Sequence, residues 1–191
     1  MLERDNLKLL NIERQFGKKQ QDWEEVRKEV QSLWSLHLDD VEVVIRILYI
    51  LHNILVEELY TDNEAILLEA LFKEYYDISY EKYRENAEYL FFIGTILHIC
   101  EWYFGIDEGM NSVDKTLAFQ MQEKARVKEP DNKLYQWAIK FSLGEKNEAY
   151  LLAKELLWGD AFYLVWLQKK GFAGDYIIHR IKYSYNRVFD Q

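Results

Sequence analysis

Four histidines, His37, His52, His98 and His179, and one cysteine, Cys100, are the side chains of this chain best suited to nucleophilic, acid–base or metal chemistry. They come together once, in His98-Ile99-Cys100-Glu101. On a helix His98 and Glu101 share a face and could supply two ligands to a metal. No third or fourth ligand stands at a matching spacing, and paired Glu-x-x-His motifs are absent in that order. A packed, hydrogen-bonded histidine accounts for the cluster more simply. There is no Gly-rich phosphate loop, no Gly-x-Ser-x-Gly elbow and no recognisable Cys–His frame. Carboxylates are plentiful, with 33 acidic residues among 191, so a pair in a cleft is still an available acid–base device; yet no two stand out. The sequence names no catalytic residue and calls for no metal and no cofactor, so a non-enzymatic chain is expected.

Charge is the more informative feature. The net value is −9, but residues 57–108 hold 13 acids against 3 bases, a net of −10. Residues 1–56 sum to −2 and residues 109–191 to +3. Direct binding to nucleic acid is not expected of such a surface, whereas a basic protein would be steered toward the middle of the chain. One cysteine excludes an internal disulfide, and the charged start Met1-Leu2-Glu3-Arg4-Asp5-Asn6 lacks the apolar core of a secretion signal, so a cytoplasmic location is expected. Val41 to Leu59 approaches the length of a membrane span. It contains Arg46, His52 and Asn53 and has acids at both ends, so it reads as a buried central helix rather than a membrane helix.

The elements that must position these residues are helices. A single proline, Pro130, and eight glycines leave few breaks, and 30 aromatic residues supply bulk to wedge between helices. The chain is therefore read as one all-α domain, 1–191, of stacked antiparallel helical hairpins. A helix over about 5–16 ends at Gly17. The next begins near Asp22, with Trp23, Val26, Val30, Leu33, Trp34 and His37 on one face. Asp39 or Asp40 caps the central helix, 41–60. Asp39-Asp40-Val41-Glu42 is superficially similar to the aspartate-rich metal motif of helical isoprenoid enzymes, but acids opening a helix are accounted for by capping and the helix dipole. Thr61-Asp62-Asn63 caps a fourth helix carrying Ile66, Leu67, Ala70, Leu71 and Tyr75, which is expected to break at Asp77-Ile78-Ser79. A long helix from about Tyr80 to Phe104 follows, interrupted near Asn86. Asn111 or Ser112 caps 113–128, and helices at about 133–143, 146–157 and 160–170 are punctuated by Pro130-Asp131-Asn132, Gly144 and Gly159. The segment 175–189 fits a helix through Ile177, Ile181, Tyr185 and Val188, and a strand through Ile181, Tyr183 and Tyr185.

The most distinctive stretch is Phe91-Phe92-Ile93-Gly94, continuing to Glu101-Trp102-Tyr103-Phe104-Gly105-Ile106-Asp107-Glu108. Gly94 permits close helix contact and Gly105 ends the helix. Glu101, Trp102, Tyr103, Asp107 and Glu108 interleave acids with interface-type aromatics, and with Glu57, Glu58, Asp62 and Glu64 they form the candidate partner-binding set. Followed by Ala118, Ala125, Pro130-Asp131-Asn132, Leu134 and Tyr135, the stretch resembles helical immunity proteins of bacterial contact-dependent and other polymorphic toxin systems, over about residues 89–135. That resemblance implies a cytoplasmic inhibitor that binds one cognate toxin, with a basic nuclease-type domain matching the acidic surface. Residues 113–157 also resemble a degenerate tetratricopeptide-like repeat. Ala118, Ala125 and Pro130 have the spacing of its second helix, Gly144 and Ala149 open a further unit, and Leu156 replaces its second alanine. The rival expectations are a helical-repeat scaffold that takes a peptide in a groove and, third, a helical enzyme or metal-binding protein.

Overall fold

The computed structural model describes residues 3–17, 22–100, 112–159 and 161–186. Among these residues there are ten α-helices and no strand, so the chain is all-α. The helices fall into two compact units, Met1–Arg84 and Glu85–Gln191.

Unit 1 holds α1 (Glu3–Glu13), α2 (Trp23–His37), α3 (Val41–Glu57) and α4 (Asp62–Tyr83). Local chemistry places the starts of the last three. The Asp22 carboxylate accepts from Glu25 N–H, and Asp40 accepts from the N–H groups of Glu42 and Val43. Thr61 and Glu64 form a reciprocal capping box. Asp39 caps nothing and instead pairs with Lys82. At Gly17 the chain turns back with φ +73°, a conformation that favours glycine.

Helix α3 packs against α1, α2 and α4. Its apolar side chains from Val43 to Leu55 are buried, at about 1.5–3 kcal/mol for each large aliphatic. Arg46 is tolerated there because Glu13 meets it in a two-point pair, Nε to Oε1 at 2.9 Å and Nη2 to Oε2 at 2.8 Å. Its Nη1 donates to Asn6 Oδ1 at 2.6 Å. With His37 Nε2 lying 2.9 Å from Asp5 Oδ2, these bonds tie α1 to the rest of the unit.

The expected break at Asp77-Ile78-Ser79 does not occur. Helix α4 runs unbroken to Tyr83, and the chain breaks at residues 84–86, before Asn86 caps the next helix by accepting from Tyr89 N–H. Leu68, Leu71, Phe72, Tyr75, Tyr76 and Ser79 form one buried stripe at three- and four-residue steps, with Trp34 stacked on Tyr75 at 3.9 Å. The Ser79 hydroxyl turns inward to Tyr75 O at 2.6 Å, so it supports the helix instead of ending it. Against that burial, the weak helix propensities of Asp77 and Ser79 amount to less than about 1 kcal/mol each.

Unit 2 comprises α5 (Ala87–Cys100), a 3-10 turn (Val113–Lys115), α6 (Leu117–Lys128), α7 (Lys133–Ser142), α8 (Lys146–Trp158), α9 (Ala161–Gln168) and α10 (Phe172–Asn186). Each α-helix packs on the next, and α10 also packs on α8. Gly94 allows α5 and α6 to approach closely, since a Cβ there would stand 2.9 Å from Ala118 O. The start of α6 differs from expectation. A 3-10 turn occupies 113–115, and Thr116 provides the cap, accepting from Phe119 N–H at 3.2 Å. Ser112 makes no side-chain cap bond. Asn132 caps α7, its side chain accepting from Leu134 N–H at 3.1 Å. The ambiguous last segment is helical, because Ala173, Ile177, Ile181 and Ser184 are buried at helical spacing.

His52 gives unit 1 a pH dependence. It is buried beside Phe72, its Nδ1 lies 3.4 Å from Asn53 Oδ1, and its Nε2 has no partner. Burial pushes its pKa down to about 4. Between pH 7 and pH 4 the unfolded chain takes up a proton that the folded chain refuses, so stability falls as the pH falls. The His52 share of that loss is about 3 kcal/mol. Urea denaturation of His52→Leu across this range is expected to lose less stability than the parent by that amount; parallel profiles would contradict the assignment.

Candidate partner-binding surface

Continuity of α4 through residues 77–79 decides what its outer side presents. With one stripe buried, the opposite face carries Asp62, Ile66, Glu69, Lys73, Glu74, Asp77 and Glu81, all exposed. Glu81 pairs with Arg84 at 3.7 Å. Asp62, Glu69, Glu74 and Asp77 meet no cation among the described residues, and Lys73 is the one basic group interspersed with them. At physiological ionic strength the screening length is about 8 Å, so Glu74 and Asp77, one helical turn apart, reinforce each other's field.

Apolar side chains stand among these acids. Leu59 is 94% exposed and Ile66 65%, with Val56 and Leu67 also exposed. The corner that presents Leu59 is firmly built. Its carbonyl accepts from Trp23 Nε1 at 2.9 Å, and the Tyr60 hydroxyl donates to Leu55 O at 2.9 Å. Glu58 Oε1 accepts from Gly17 N–H at 2.9 Å. Between α2 and α4 lies a groove of about 330 Å³ lined by Trp23, Arg27, Asn63, Glu64, Leu67 and Leu68. Large apolar side chains held out to water beside a groove and ringed by charge are the chemistry of a protein-docking site.

Of the residues singled out from the sequence, Glu57, Glu58, Asp62 and Glu64 gather at this α3–α4 corner. Glu57 and Asp62 are exposed and meet no cation among the described residues. Glu64 is engaged by its own helix start, accepting from Thr61 N–H at 2.8 Å and from its hydroxyl at 2.7 Å. Glu101, Trp102, Tyr103, Asp107 and Glu108 lie outside the described residues. Sequence reading missed Glu69, Glu74 and Asp77, together with Leu59 and Ile66. Ile66, Glu69 and Asp77 form, with Lys73, a run of three- and four-residue steps whose last member was hidden by the assumed break at 77–79; Leu59 and Glu74 fall outside that run.

The histidine of the one ligand-like cluster is in a structural network. His98 Nε2 lies 3.1 Å from Ser142 Oγ and 3.3 Å from Gln122 Oε1. Ser142 donates to Gln122 Oε1 at 2.9 Å, Gln122 Nε2 donates to Thr95 Oγ1 at 3.2 Å, and Thr95 donates to Phe91 O at 2.7 Å. These bonds hold the imidazole within a packed polar network. Burial lowers the His98 pKa, the Gln122 bond opposes that, and nearby Arg180 adds to it. The network joins α5, α6 and α7. Among the described residues no three of His, Cys, Asp and Glu gather as a metal-ligand set. No helix among them is long and apolar enough to cross a membrane.

No known protein family, curated protein or solved structure matches this chain.

If the α4 carboxylates serve a partner rather than the fold, neutralising them leaves stability intact. Glu69→Gln, Glu74→Gln and Asp77→Asn are each expected to change unfolding free energy by less than about 0.5 kcal/mol. Thr61→Ala, which removes a cap, is expected to cost about 1 kcal/mol. Losses near 1 kcal/mol at the three acids, measured by chemical denaturation, would make them structural.

Proposed function

We propose that this chain is a non-enzymatic protein-binding domain that acts as an immunity protein, neutralising a cognate basic toxin domain. The observation that carries the reading is the outer face of α4 and its preceding corner, where exposed Asp62, Glu69, Glu74 and Asp77 meet no cation among the described residues and share the surface with exposed Leu59 and Ile66. The apolar side chains supply contact area, and the carboxylates select and steer a partner rich in lysine and arginine. A nuclease-type toxin fits, because a surface that engages phosphates is basic and an acidic protein can occupy it. The resemblance over 89–135 supports the same class of partner.

The test uses the product of an adjacent toxin gene. The intact chain is expected to capture it in a pull-down and to protect cells that express it. Combined Glu69→Gln, Glu74→Gln and Asp77→Asn is expected to slow association by about tenfold or more at low salt. No capture together with no protection would sink the reading.

A second reading, a helical-repeat scaffold that holds a peptide, is favoured by unit 2. Trp158 is 75% exposed and Phe162 64%. Each lines an apolar groove, of about 450 Å³ on α8 with Leu151 and Lys154, and about 280 Å³ on α9 with Val165 and Lys169. Lys154 and Lys169 meet no carboxylate among the described residues, so an acidic peptide is the matching ligand. On this reading Trp158→Ala abolishes binding and the α4 substitutions do not.

A further inference from the structure

The turn from α7 into α8 opens on a cavity of about 200 Å³, lined by Lys140, Phe141, Gly144, Lys146, Ala149 and Ser184. Gly144 reverses the chain with φ +70°, and Glu145 occupies the N-cap of α8. The Glu145 side chain lines the cavity too, but it turns to Lys140 Nζ at 2.5 Å and accepts nothing from the helix start. The first bond within α8 runs from Ala149 N–H to Glu145 O at 2.9 Å. The N–H groups of Lys146, Asn147 and Glu148 thus have no acceptor among the described residues. They carry the partial positive charge of a helix N-terminus.

A second observation comes from α10. Ser184 is 6% exposed, yet its hydroxyl has no hydrogen-bond partner among the described residues. Buried hydroxyls in helices usually return to a carbonyl one turn back, as Ser79 does to Tyr75 O and Thr95 to Phe91 O. Ser184 does not, and it lines this cavity, which leaves a donor facing the cavity and available to a guest.

We propose that this cavity binds a small monocarboxylate bearing an apolar group. The carboxylate is held by the first-turn amides of α8, the Ser184 hydroxyl and the ammonium of Lys146. The apolar part rests on Phe141 and Ala149. A carboxylate with an apolar group is preferred to phosphate because Glu145 already holds Lys140, and Phe141 and Ala149 offer apolar contact that phosphate cannot use. This site is independent of the α4 face, and its failure leaves the proposed function untouched.

The experiment is a nitrogen-15 NMR titration of the full chain with phenylacetate, with inorganic phosphate and uncharged 2-phenylethanol as comparators. Saturable shifts centred on the amides of residues 144–148 are expected for phenylacetate, with phosphate and 2-phenylethanol at least several-fold weaker. Ser184→Ala is expected to weaken phenylacetate about tenfold, as loss of a hydrogen bond to a charged group does. Glu145→Gln, which releases Lys140 from its ion pair at the cavity wall and leaves the amides in place, is expected to tighten it a few-fold. Absent shifts, phosphate binding as well as phenylacetate, or affinity unchanged in both variants would overturn the assignment.

Discussion

Everything proposed about unit 1 depends on α4 remaining a single helix of 22 residues. That continuity is enforced from inside. Phe72, Tyr75 and Tyr76 must stay buried with α2 and α3, and the Trp34–Tyr75 stack lies only one turn before Ser79. A break at 77–79 would leave the buried Ser79 hydroxyl and nearby carbonyls without partners, at about 1–3 kcal/mol for each group. Once the inner stripe is fixed, a 3.6-residue period leaves no freedom on the other side. Asp62, Glu69, Glu74 and Asp77 are placed in water together because the aromatics between them are not.

Charge is used in opposite ways inside and outside. Arg46 is enclosed, and Glu13 and Asn6 satisfy it so fully that it acts as a joint between α1 and α3. Such a pair confers little net stability over apolar packing, yet loss of one partner costs about 3–5 kcal/mol, so it fixes geometry. The same holds for His98, whose bonds to Ser142 and Gln122 join helices of unit 2. On α4, Asp62, Glu69, Glu74 and Asp77 are exposed and meet no cation among the described residues, so no ion pair ties them to the fold. Groups that the fold does not need are the ones open to a partner.

Local signals were legible in the sequence. Asp22, Asp40 and Thr61 cap helices because each side chain reaches amides two or three residues ahead, which is a property of a short segment. The turn glycines Gly17 and Gly144 are equally local. Tertiary decisions were not legible. Asp77-Ile78-Ser79 has the composition of a break, and only the partners of Tyr75 and Tyr76 override it. The start of α6 moved to Thr116 because the turn at 113–115 comes first. The last helix was undecided by pattern, since Ile181 and Tyr185 fit both periods, and burial of Ala173, Ile177 and Ser184 decided for a helix. The acidic character of the site was visible in the charge of residues 57–108, but its membership was not. Selection by sequence proximity favoured Glu58 and Glu64, which bond to backbone, over Glu69, Glu74 and Asp77, which do not.

The central claim is that a basic partner docks on the outer face of α4 and the corner before it. Hydrogen exchange of the full chain, alone and in complex with a basic toxin domain that it captures, tests this most directly. The account predicts slowed exchange concentrated in peptides covering residues 56–81. Protection confined to peptides covering residues 146–168, with 56–81 unchanged, would contradict it.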